Sequence, residues 1–300
     1  MGAKGFNWTA GSFFIAYHAV LLLTLPFYLW FAMPSLTLTL ATVVIIGLCG
    51  VSLTTLYHRY YSHKTFVLRP AAEVVLLFFA TLIGQGSAWE WAFDHRRHHK
   101  HTDTDDDPHD MGKGFWYAHV LWIFDQRQPL DMQAINDLTR SRLLAWQHRH
   151  YVAAFLGSSL LACVVLGAIS GDWLGAFYMG FLVRLFISHH ATFCINSLAH
   201  SWGTRPFDPA QSATNSHFCS FLTFGEGQHN YHHVFPHDYR IGDRWYYWDP
   251  GKWLIRSLAM VRLATRLKRA AADKIAAKRA EVAAWRLAPE GETPPTTASE

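Results

Sequence analysis

The chain has 300 residues, is 51% hydrophobic and only 16% charged, and carries a formal net charge of +4. That balance excludes an ordinary soluble globule and points to a membrane protein. The modest charge gives no ground for a nucleic-acid partner, while 15% aromatics with 13 Trp suit a lipid–water interface.

Residues 11–33 are almost wholly apolar. A helix needs about 20 such residues to cross a bilayer, so this is the first expected span, too long for a cleavable signal peptide. Pro26 is tolerable inside it. Met33-Pro34-Ser35 reads as a turn, and 36–57 as the second span. Residues 71–83 are apolar but short, leading into Gly84-Gln85-Gly86. Residues 100–150 are polar, with an acidic run from Thr102 to Asp107. The third and fourth spans are expected over 151–169 and 173–195, joined at Ser170-Gly171-Asp172. From Lys252 to Arg286 the chain is basic and helix-prone, suited to an anionic leaflet, and 287–300 reads as a disordered tail. The expected units are a membrane domain over 1–265 and a basic helix with tail over 266–300. The four cysteines, Cys49, Cys163, Cys194 and Cys219, show no metal-site or disulfide spacing and read as free apolar residues.

Three histidine clusters interrupt this pattern: His58 with His63, His95 with His98 and His99, and His229 with His232 and His233. Each HxxHH triplet falls at i, i+3 and i+4, on one face of a helix. His58 and His63 lie about 140° apart on an α-helix, so they straddle a site or sit where the second span unwinds. Imidazole is the commonest metal ligand, and eight are too many for one metal when zinc takes about four ligands. Two metals follow, and an all-nitrogen dinuclear site beside lipid favours iron and oxygen chemistry over zinc.

One site fixes the topology. The 151–195 hairpin puts the second and third clusters on one side. The 71–83 segment, lying between the first two, therefore stays interfacial or re-entrant. The cluster-bearing loops carry Arg59, Lys64, Arg69, Arg96, Arg97 and other basic residues, against one charge, Asp172, in the two tight turns. Basic loops stay cytoplasmic. The expected fold is all-α and multi-pass: four transmembrane helices with a cytosolic helical cap holding a histidine-rich dimetal site. Both termini and the site face the cytosol, in a bacterial inner membrane or an ER-like one.

The stretches WEWAFDHRRHHKHTDTDDDPHD (89–110), NSLAHSWGTRPFD (196–208) and GEGQHNYHHVFPHDY (225–239) resemble the membrane fatty acid desaturases, especially the stearoyl-CoA, delta-9 desaturase-like branch. The resemblance runs from about residue 36 to 260. It implies a ninth ligand, His200, and Asn196 reaching a metal through water, the nine histidines holding two iron ions with O2 as co-substrate. It also implies that Gln85, Trp91 and Thr192 kink the acyl chain at the metals, favouring a cis delta-9 double bond, and that Ile46 and Gly50 close the acyl tunnel. Animal acyl-CoA desaturases have Arg-Asp before the second cluster, contacting the CoA portion, where this chain has Phe93-Asp94. Asp94 remains a candidate contact, and the substrate is either acyl-CoA or an acyl chain in a membrane lipid. No cytochrome b5-like sequence accompanies the motifs, so an external donor is implied: ferredoxin, cytochrome b5 or similar, with a reductase. The alternatives are a fatty acyl or alkane hydroxylase on the same scaffold and, more remotely, a non-catalytic metal transporter.

Overall fold

The computed structural model describes residues 5–288 and 293–295. The expected disordered tail over 287–300 therefore lies mostly outside the described residues.

The described chain is helical apart from one two-residue strand pair, β1 (Val67–Leu68) against β2 (Ala264–Thr265), antiparallel. Helix α1, Trp8–Phe31, starts where the Asn7 side chain accepts from the Ala10 amide. Its outward side chains, among them Leu22, Leu23, Phe27 and Trp30, are exposed and apolar, as lipid contact requires. Helix α2, Leu36–Ser52, continues as a π-helix over Leu53–Ser62. Helix α3, Pro70–Thr81, is apolar, and at 12 residues it reaches only about 18 Å. That is too short to cross a bilayer, as expected for the 71–83 segment. Helix α4, Ala88–His101, is started by a capping box between Ser87 and Glu90. Short helices α5, Phe115–His119, and α6, Arg142–Arg149, lead to α7, Tyr151–Ser170. A tight turn with Gly171 at φ +72° follows, a left-handed conformation glycine adopts cheaply.

Three helical stretches are long and apolar enough to cross a membrane: Trp8–Phe31, Leu36–Ser62 and Tyr151–Ser170. The fourth expected span is helical but not of that kind. It is built as α8, Trp173–Phe177, a π-helical turn Tyr178–Val183 and α9, Arg184–Asn196. Arg184, His189 and His190 dilute its hydropathy. Arg184 is fully buried and donates to the carbonyls of Gly180 and Leu82 and to Ser159 Oγ, so its charge faces protein, not lipid.

The remaining helices are α10, His217–Leu222; α11, His229–Val234; α12, Pro250–Met260; and α13, Ala272–Trp285. The basic C-terminal stretch holds two helices separated by β2. Its α13 packs beside α11: Ile275 joins Phe207 and Tyr231 in a buried cluster, and Arg279 sits over the Phe207 ring. Lys252, counted among the basic surface residues, is buried and donates to the carbonyls of Trp245 and Tyr247. Arg59 is likewise no loop cation; its environment belongs to the site below.

Gly227 precedes α11 where the chain presses against α10. A Cβ there would lie 2.5 Å from the Ser216 carbonyl oxygen and against the Ser220 amide. Both neighbours are backbone and cannot turn aside. Gly227→Ala should cost about 1–3 kcal/mol through overpacking and displace the start of α11. Thermal unfolding together with metal content after purification would check this; a variant with unchanged melting would refute the tight-contact argument.

Candidate metal centre

The sequence builds the centre from four short pieces. The π-helical end of α2 supplies the first. Its defining bond runs from the His63 amide to the His58 carbonyl, 3.2 Å and five residues back, the i→i+5 pattern of a π-helix. That winding brings the two imidazoles to one side, ring centroids 5.0 Å apart, where an α-helix would splay them. Helices α4 and α11 supply the two triplets, and a 3₁₀ turn after α9, Leu198–His200, supplies His200.

The nine imidazoles form two groups. His58, His63, His95, His99 and His232 make one; His98, His200, His229 and His233 make the other. Within each, one nitrogen per ring lies within 4.8 Å of all the others. The two triplets divide reciprocally. On α4 the i, i+4 pair, His95 and His99, enters the five-imidazole group and His98 the other. On α11 the pair His229 and His233 enters the four-imidazole group and His232 crosses over.

The Nε2 contacts are too convergent for hydrogen bonds. His232 Nε2 lies 2.8 Å from His58 Nε2 and 3.0 Å from His99 Nε2, and His63 and His95 Nε2 are 2.7 Å apart. In the other group His233 Nε2 lies 3.3 Å from His98 Nε2 and 3.1 Å from His229 Nε2. Metal–imidazole bonds of about 2.0–2.1 Å place neighbouring ligand nitrogens about 2.9–3.4 Å apart, from square to tetrahedral angles. The observed spacings are close to the edges of such polyhedra. Nitrogens so disposed, with His200 Nε2 buried and lacking a partner, fit two metal ions.

Burial holds His63, His95, His99, His200, His229, His232 and His233 well below the ordinary imidazole range, neighbouring imidazoles adding to the effect. They are neutral at neutral pH, the form that ligates. The outer nitrogens are oriented by the protein. His58 Nδ1 meets Glu226 Oε2 at 2.8 Å, His98 Nδ1 meets Asp107 Oδ1 at 2.9 Å, and His200 Nδ1 meets Ser212 Oγ at 2.7 Å. Burial pushes Asp107 up, but His98 and other partners outweigh it and hold the carboxyl at about 2. Glu226 is in turn paired with Arg59 at 3.0 Å, and Arg59 with Asp249 at 2.8 Å. Arg59 is fully buried. Glu226, Arg59 and Ser212 were not expected in this role. Glu226 stands three residues before His229 inside the quoted GEGQHNYHH stretch, the one signal available.

Trp91, His95, Thr192 and Asn196 line two adjoining cavities between α4 and α9. Gln85 and Asp94 also line the first, and His58, His98 and His229 the second. Burial raises Asp94 above the usual carboxylate range. Ile46 and Gly50 lie further up α2 and line neither cavity; Ile46 is buried, and a Cβ on Gly50 would overlap the Phe224 ring. Phe93 is buried in the main core. His109, which burial pulls down to about 3, lines the first cavity but lies outside both imidazole groups. The cysteines are free.

Apolar helices of bilayer length joined to two converging imidazole groups define a class: helical proteins with membrane-length helices and a histidine-rich site fit to hold metal. The chain belongs to the fatty acid desaturase family, whose sequence profile, "Fatty acid desaturase", matches residues 30–269. It is 39% identical over 258 residues to a protein of Schizosaccharomyces pombe named "Probable acyl-CoA desaturase", covering 83% of this chain and 54% of that one. It is 38% identical over 223 residues to "Acyl-CoA desaturase 1" of Saccharomyces cerevisiae, covering 73% and 44%. With the "sn-2 palmitoyl-lipid 9-desaturase" of Nostoc sp. (strain 36) it shares 35% over 268 residues, 87% of this chain and 90% of the relative. The chain spans about half the length of the two yeast relatives.

Loss of an orienting carboxylate typically lowers metal affinity 10–100-fold. Asp107→Asn should therefore weaken metal retention by about that factor, read by competition with a chelator. Retention equal to the parent's would remove Asp107 from the centre's support.

Proposed function

We propose that this chain is an O2-dependent fatty acyl desaturase that introduces a cis double bond, at delta-9, into a saturated acyl chain. The observation that carries the reading is the pair of imidazole groups, five and four rings, with a cavity between them lined by Trp91, Thr192 and Asn196. His58, His63, His95, His99 and His232 hold one iron, and His98, His200, His229 and His233 the other, with Asn196 acting through water. Two irons so held supply the O2 activation needed to remove hydrogen from an unactivated methylene.

The protein's own part is positioning. Seven of the imidazoles arrive neutral, and Glu226, Asp107 and Ser212 fix His58, His98 and His200, so binding metal requires little reorganisation. Trp91 and Thr192 line the cavity beside His95 and, with Gln85, bend the acyl chain there, so that one pair of carbons meets the metals. Proximity then selects the bond. Ile46 and Gly50 limit the far end of the acyl chain, and Asp94 contacts its head. The overall change is one CH2–CH2 plus O2, two electrons and two protons giving CH=CH and two waters. The electrons come from a separate donor of the ferredoxin or cytochrome b5 kind. Helices α8 and α9 with their π-turn form a fourth span, so the centre and both termini lie on the cytosolic face. The two yeast relatives carry acyl-CoA in their names and the Nostoc relative an acyl lipid, and either carrier suits this chain.

Expression in a host that makes no unsaturated acyl chains, followed by mass spectrometry of its lipids and acyl-CoA pool, tests the reading. The expected result is a cis-9 monounsaturated chain in one of the two pools. An alcohol as main product would replace the desaturase by a hydroxylase. His232→Ala should reduce product at least a hundredfold while the folded protein is still recovered; retained activity would refute the assigned metal centre.

A further inference from the structure

Three side-chain nitrogens around the first cavity are buried and have no partner: Gln85 Nε2, His109 Nδ1 and Trp122 Nε1. All three residues line that one cavity. Buried polar groups are nearly always hydrogen-bonded in folded proteins, and leaving one unpaired is costly. Three such groups around one cavity make a recognition surface, and the cavity is where their partner can sit.

Local structure fixes this wall. Trp122 stands in a 3₁₀ turn, Leu121–Phe124. The start of the chain clasps that turn: the Asn7 amide donates to the Phe124 carbonyl at 2.8 Å, and the Gln126 amide to the Gly5 carbonyl at 2.6 Å. The Trp122 ring touches two others. His109 lies with ring centroids 4.3 Å away at 71°, and Phe193 at 6.1 Å and 89°. The His109 backbone is tied in turn, its amide donating to Asp107 Oδ1 at 2.9 Å.

The chemistry of the wall defines its ligand. An indole N–H and an amide NH2 only donate, and a neutral imidazole donates through one of its nitrogens. The wall therefore asks for an oxygen acceptor. A free carboxylate is a poor match. Arg127, on the same cavity, lies 3.7 Å from Glu90, and Asp94 adds a second acid. A carbonyl oxygen carries two lone pairs and no net charge, so neighbouring donors can share it without opposing those acids. The rings of Trp91 and Phe193, also on this cavity, suit the methylenes that follow such a carbonyl.

We propose that Trp122, with His109 beside it and Gln85 on the same cavity, binds the carbonyl oxygen at the head of the acyl chain. The inference rests on the desaturase reading for the identity of that chain. The thioester of an acyl-CoA and the ester of an acyl lipid share this carbonyl, so one site serves either carrier. It also fixes the first carbon of the chain. Because His95 lines the same cavity, fixing that carbon sets how far along the chain the metals act. Trp122 is then a specificity residue for the position of the double bond.

The test uses the full chain in detergent, loaded with zinc, which has no redox chemistry. Palmitoyl-CoA and a phosphatidylcholine, each labelled with 13C at the acyl carbonyl, are offered separately, and the labelled carbonyl stretch is followed by infrared spectroscopy. The expected result is a bound band displaced to lower wavenumber for one of the two, which identifies the carrier. Trp122→Phe should return that band toward its free position while zinc content stays at the parent's level. No displaced band with either compound, or one that survives Trp122→Phe, overturns the proposal. A second measurement needs no variant. The matching thioether or ether, with CH2 in place of the carbonyl, should compete about tenfold more weakly with the labelled compound. Equal competition overturns the proposal, and palmitate competing as well as the carbonyl compound overturns the choice of a neutral carbonyl. A displaced band in a chain that makes no unsaturated product keeps the carbonyl site and removes the desaturase reading. Unsaturated product from a chain with no displaced band does the reverse.

Discussion

Much of this structure answers to one requirement: nine imidazoles must converge on two points. Lone pairs do not attract one another, and four or five ring nitrogens gathered within 4.8 Å of one another are an arrangement that a shared cation rewards. Each ring must therefore be held from behind. Glu226, Asp107 and Ser212 do this for His58, His98 and His200, and each is itself anchored. Arg59 secures Glu226, and Asp103 accepts from the Ser212 amide at 2.7 Å. A fully buried arginine would be costly alone, because an unpaired buried charge is severely destabilising. Here it is shared between Glu226 and Asp249, and it also donates to the Tyr239 carbonyl. Pairs from both ends of the sequence thus tie α2 to the loop before α11 and to the start of α12.

The helix ends carry the register. A capping box at Ser87 and Glu90 sets where α4 begins and so which of its faces carries the imidazoles into the centre. Asp249 caps α12, accepting from the Lys252 amide, while also holding Arg59. Each cluster has a left-handed residue close by: Lys64 after the first, Asp103 after the second, Phe224 and Gly225 before the third. Such conformations are uncommon outside glycine. Here they turn the chain sharply at the edge of the centre, so that three helices from distant parts of the sequence converge with little connecting backbone inside it.

Much of this was legible in the sequence. The triplets at i, i+3 and i+4 announce helical faces, and the apolar runs announce α1, α2 and α7. The i, i+5 spacing of His58 and His63 left two readings open, and a π-helix satisfies that spacing directly. What one-dimensional patterns cannot carry is the exchange between triplets, since His98 and His232 leave their own helix's pair to join the other group. That depends on the angle between α4 and α11. Charge was read too simply as well: Arg59 and Lys252 count as basic in any composition, yet both are buried, Arg59 paired with the distant carboxylates Glu226 and Asp249 and Lys252 held by nearby carbonyls. The fourth expected span was harder for a physical reason. Arg184 and the His189–His190 pair belong to its interior face, and hydropathy averages over faces.

The same logic bears on the head of the acyl chain. Asp94 lines the cavity beside the centre, while Phe93, one residue earlier on α4, packs in the core among apolar side chains. Replacing Phe93 with a longer charged side chain would bury that charge before it brought it to a ligand. Under the proposed function, the cation an anionic carrier would meet at the cavity is Arg127, which shares that wall with Asp94 and lies 3.7 Å from Glu90.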